Sequence, residues 1–86
     1  MMPTVGRVVI VEGDTVKSNG TNVAPAVITR VWSPPGADHW MVNVMAFPDN
    51  GHPKAVTSVK LYRDQRAAEA ANTVAGAVFA YWPPRV

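Results

Sequence analysis

The chain has no cysteine, which excludes disulfides and thiolate metal sites as sources of stability. It has no run near the roughly 20 apolar residues that a membrane-spanning helix needs, and we expect no membrane partner. Its opening, Met1-Met2-Pro3-Thr4-Val5-Gly6-Arg7, has no basic segment leading into an apolar one, so we expect no signal peptide and a place in the cytoplasm. Charge is scarce too: 16% of residues are charged, against about 25% in ordinary soluble domains. Eight Lys and Arg against six acids leave a formal charge of +2, too small an imbalance for a nucleic-acid-binding patch.

What is present is apolar. Hydrophobic residues make up 48% of the 86, with three Trp, two Tyr, two Phe and four Met among them. That length suits one domain, residues 1–86. A chain this short buries only about 60% of the surface it exposes when unfolded. With disulfides excluded, self-association is the natural supplement, and we expect a homo-oligomer.

Turn signals divide the chain into strands. Val8, Val9, Ile10 and Val11 lie within Arg7 to Glu12, and β-branched residues fit a pleated surface better than a helix. Gly13-Asp14 and Asn19-Gly20 mark an irregular loop or hairpin. A second strand is predicted from Ala26 to Trp32, with Ala26, Ile28, Arg30 and Trp32 on one face and Val27, Thr29 and Val31 on the other. Ser33-Pro34-Pro35-Gly36 stops it.

Strands from Trp40 to Phe47 and from Ala55 to Tyr62 flank Pro48-Asp49-Asn50-Gly51, the pattern of an antiparallel hairpin. In the second of these, strict alternation sets Thr57, Val59 and Leu61 against Val56, Ser58, Lys60 and Tyr62. The composition of residues 64–73 predicts a short helix with Asp64 as N-cap. A last extended segment, Ala77 to Trp82, runs into Pro83-Pro84, which bar the tail from a central ladder position. The predicted fold is mainly β: a small, strongly bent antiparallel sheet or an SH3-like or OB-like barrel of about five strands, with one short helix.

Catalytic signatures are weak. His39 and His52 both adjoin turns, and no Ser occupies a glycine-flanked elbow. Asp38, His39, Asp49 and His52 are the only candidate metal ligands; adjacent strand residues point apart, and Asp49 with His52 makes two ligands at most. The acids are scattered and the glycines fall singly in turns, so no phosphate-cradling loop is evident. We expect a binding protein without enzymatic activity, metal or cofactor.

Aromatic and arginine chemistry remains. Arg30 and Trp32 lie two apart on one strand face, and Trp82 and Arg85 sit together in the tail. Indoles stack on bases and guanidinium groups bind phosphate bidentately. Asn43, Thr57 and Ser58 could add hydrogen bonds at the base of a pocket. These seven residues are the candidate ligand-binding set.

The segments Pro3-Thr4-Val5-Gly6-Arg7-Val8-Val9, Ala26-Val27-Ile28-Thr29-Arg30-Val31-Trp32-Ser33, Val42-Asn43-Val44, Phe47-Pro48-Asp49-Asn50-Gly51, Val56-Thr57-Ser58-Val59 and Trp82-Pro83-Pro84-Arg85-Val86 together resemble a group of small uncharacterised proteins of tailed bacteriophages. They cover a little over a third of the chain. The Ala-rich stretch from Ala67 to Ala77 is longer than the simple connection of that group. The resemblance implies a phage or prophage origin, hence the host bacterial cytoplasm or the virion, and supplies no activity.

Size, composition and the aromatic–arginine set lead first to a counter-defence protein that sequesters a small nucleotide immune signal as a homo-oligomer. The alternative is a virion component, a capsid decoration or head-completion protein that docks on a capsid protein lattice. A direct antagonist of a host enzyme and an OB-like binder of single-stranded nucleic acid rank below these.

Overall fold

A computed structural model describes residues 2–32 and 39–84. Five strands, β1 (Val8–Glu12), β2 (Val23–Val31), β3 (His39–Ala46), β4 (Lys54–Tyr62) and β5 (Phe79–Tyr81), close into a barrel. A 3₁₀ turn, Asp14–Val16, follows β1, and the helix α1 (Gln65–Ala71) lies between β4 and β5. Neighbours around the ring follow chain order, unlike the Greek-key order of an OB fold.

Four of the five pairings are antiparallel; β4 and β5 run parallel, with Leu61 opposite Ala80 and Tyr62 opposite Tyr81. An odd number of strands cannot alternate direction all the way round a closed ring, so one parallel seam is required. A parallel seam needs a crossover rather than a tight turn, and α1 is that crossover. Asp64 caps it, its Oδ1 accepting from Ala67 N at 2.8 Å.

The barrel interior is filled by Val9, Val11, Ala24, Ala26, Ile28, Val42, Val44, Ala46, Val56, Val59, Leu61 and Ala80. The alanines give the narrow barrel room to close, and each fully buried Val, Ile or Leu contributes about 1.5–3 kcal/mol. Val16 closes the end beyond Glu12, and Trp82 closes the opposite end. A second cluster lies outside the wall, where α1 places Ala68 over Tyr62, Phe79 and Tyr81. Gly13 permits the close crossing behind it: a Cβ there would stand 2.6 Å from Ala77 O, at φ +144.

Two β-bulges change the expected faces. The β2–β3 register shifts between Ile28 and Arg30, and the β3–β4 register shifts between Val42 and Val44. Ile28 is interior while Thr29 and Arg30 are both exposed, so the expectation that Ile28 shares a face with Arg30 and Trp32 fails. On β4, Val56 joins Val59 and Leu61 inside, and Thr57 and Ser58 both face out. An extra residue in one strand reverses side-chain parity beyond it, which strict alternation cannot anticipate.

β2 also begins earlier than Ala26 and takes in Pro25. In an extended residue the N–H and C=O point toward the same neighbouring strand. Pro25 O accepts from Phe47 N at 2.9 Å, one residue beyond the end of β3, so the missing proline N–H falls where the ladder stops.

Candidate functional site

The candidate ligand-binding residues divide between two places. Arg30, Trp32, Asn43, Thr57 and Ser58 meet on the outer surface of β2, β3 and β4, around the paired bulges. Arg30 pairs with Asn43 across β2–β3. Asn43 Oδ1 accepts two hydrogen bonds, from Trp32 Nε1 at 2.6 Å and from Ser58 N at 2.8 Å. The second comes from a backbone held at φ 53, a left-handed conformation costly for a residue other than glycine. The Arg30 guanidinium lies over the Trp32 indole, 3.8 Å from its centroid. Trp32 remains 45% exposed, so this is an open platform with its aromatic ring tied down at the edge.

Trp82 is elsewhere. It is 8% exposed and belongs to the interior cluster, with the Arg7 guanidinium 5.7 Å from its ring centroid. Among the described residues its buried Nε1 has no hydrogen-bond partner, and neither has that of Trp40. Arg85 lies outside the described residues.

The remaining exposed part of Trp82 lines a cleft of about 480 Å³, together with Arg63, Asp64, Gln65, Arg66, Pro83 and Pro84. The start of α1 forms one wall and the proline tail the other. Asp64 is occupied by the helix cap and by Arg63, whose Nε stands 3.5 Å from its Oδ2. Among the described residues Arg66 has no carboxylate partner. The cleft therefore combines an apolar floor with two guanidinium groups, a chemistry for a small anion bearing a planar or apolar body.

Arg63, Gln65 and Arg66 were absent from the sequence-based set. Their signal was there: Arg63 and Arg66 bracket the Asp64 cap, which sets both at the start of the helix. A smaller cavity of about 200 Å³ lies at the opposite end, lined by residues that include Lys17, His52 and Lys54.

For the candidate metal ligands, His39 packs against Tyr62 with ring centroids 5.6 Å apart, and Asp49 Oδ2 accepts from Asn19 Nδ2 at 3.1 Å. Asp38 lies outside the described residues. Among those described, no three potential ligands come together.

Among the described residues one ionisable group is strongly perturbed. The Tyr81 phenol is pushed up to about 12, by burial first and then by Glu12, whose Oε1 accepts its hydroxyl at 3.1 Å. It belongs to the packing under α1 and faces neither the platform nor the cleft.

No protein-family model, no curated protein and no solved structure matches the chain.

Proposed function

We propose that this protein is a non-catalytic phage accessory protein that antagonises host defence by sequestering a small nucleotide signal as a homo-oligomer, with the cleft beside α1 as the binding site. The observation that carries this reading is the cleft itself. Small-molecule sites are concave and mostly apolar, with a few placed polar groups and volumes of roughly 300–1,000 Å³. This one falls within that range and supplies two arginines for phosphate, one of them without a carboxylate partner among the described residues. The phage assignment rests on the sequence resemblance, and oligomerisation on the thin margin of a cysteine-free chain.

The test is native mass spectrometry of the purified protein incubated with a defined mixture of mono-, di- and cyclic nucleotides. A retained mass of one nucleotide per site, lost in Arg66→Ala and kept in Arg30→Ala, is the expected result. No retained mass, or retention that Arg66→Ala leaves untouched, removes the cleft from the function.

A further inference from the structure

The part of the barrel wall that α1 leaves bare has its own chemistry. Register places Val8, Val27, Met45 and Ala55 in one outward row across four strands. Val8 is 53% exposed, and Phe47, just past β3, is 44% exposed. Beside that row stands the Arg30–Trp32 platform, and Lys60 pairs with Met41 on its far side. None of the chain's six acidic residues lies on β2, β3 or β4. Lys54, the remaining Lys or Arg of these strands, is directed to Thr15 O at 2.9 Å.

We propose that this face docks a protein whose surface presents an apolar patch bordered by carboxylates. Charge complementarity selects that partner. Interface cores are enriched in Trp, Phe, Met and Arg and depleted in acids, and hot spots concentrate on Trp and Arg held in a fixed geometry. The stack over Trp32 and the bond from its indole N–H to Asn43 hold that geometry before a partner arrives, which reduces the ordering cost of association.

A second copy of this chain fits less well. A two-fold contact sets the same patch against itself and brings Arg30 and Lys60 of both copies together on a face whose strands carry no carboxylate. Single-stranded nucleic acid also fits less well, because its protein surfaces are strongly basic and polar, whereas this face carries Val8, Val27, Met45, Ala55 and Phe47. Among the described residues each strand is flanked by a neighbour on both sides, which favours docking through side chains over strand addition.

The inference is independent of the cleft, and its test separates the two. The probe is a displayed library of random dodecamer peptides, panned on the immobilised full-length protein. Enriched peptides are expected to join Asp or Glu to Leu, Phe or Trp. They should bind Arg66→Ala as well as the native protein, and bind Arg30→Glu and Trp32→Ala more weakly by about tenfold or more. Lys60→Glu, a change at an exposed position, provides the same reading should Trp32→Ala fail to fold.

No acidic-apolar enrichment, or equal binding to native protein and face variants, overturns the proposal. So does tight binding of a dodecamer oligothymidylate that Arg30→Glu removes, which would assign the face to single-stranded nucleic acid. Self-association in sedimentation velocity that Trp32→Ala or Lys60→Glu abolishes would assign it to a second copy.

Discussion

Two tryptophan–arginine pairs occupy opposite circumstances in this barrel. Arg7 with Trp82 closes one end of the interior, and the indole is nearly all buried. Arg30 with Trp32 lies on the outer wall, closer in its stacking yet open to solvent. The same two side chains thus serve as a plug in one place and a platform in the other. What separates them is what lies behind the ring: apolar interior for Trp82, and a single Asn43 acceptor for Trp32. Arg30 is a near neighbour of Trp32 in sequence, whereas Arg7 reaches Trp82 only through the fold.

The largest expected effect breaks this comparison directly. Trp82→Ala should cost about 3–5 kcal/mol, the range for removing a large aromatic from a core, whereas Trp32→Ala should cost about 1 kcal/mol or less, the scale of an exposed cation–π contact. Urea denaturation of both variants measures the difference; equal losses would end the distinction between plug and platform.

A smaller effect sharpens the account of the platform. Asn43→Ala leaves Trp32 Nε1 and Ser58 N without their acceptor, at a cost of about 1–3 kcal/mol, with water replacing part of the loss at this half-exposed site. The platform should loosen as well, visible as faster quenching of Trp32 fluorescence by acrylamide in a variant where the other tryptophans are Phe. Unchanged stability and quenching would show that the shared acceptor does not hold the ring.

The smallest effect at neutral pH concerns Tyr81, which adjoins Trp82. Its proton is held more tightly in the folded protein than at the ordinary phenol value of 10. The stabilisation is complete below about pH 10 and is lost as pH rises through 10 toward 12. Urea midpoints on either side of pH 10 should fall across that window, and Tyr81→Phe should flatten that part of the fall. A native curve that matches Tyr81→Phe throughout would remove Glu12 and burial as the cause.

Much of the fold was legible in the residues because local rules decide it. The β-branched run at Val8–Val11, the proline–glycine turns and the Asp64 cap each act through near neighbours. Asn19-Gly20 sits between paired Ser18 and Thr21, with positive φ at both central residues, as that dipeptide favours. The bulges at Thr29 and Thr57-Ser58 were not legible, because a bulge is a relation between two strands. For the same reason Arg30 and Trp32 could be placed together on one face, but not Ile28 apart from them.

The cleft shows the same boundary. Trp82 was found from its chemistry, while Arg63 and Arg66 lie outside the candidate set. They matter through the crossover, which lays the start of α1 beside the tail of β5. Composition, periodicity and turn chemistry by themselves determined a small, cysteine-free, five-stranded β domain with one helix. Ring closure decided the rest: it required the parallel seam, buried one tryptophan, exposed another and set two arginines around a cavity, because these outcomes depend on strands that meet only in space.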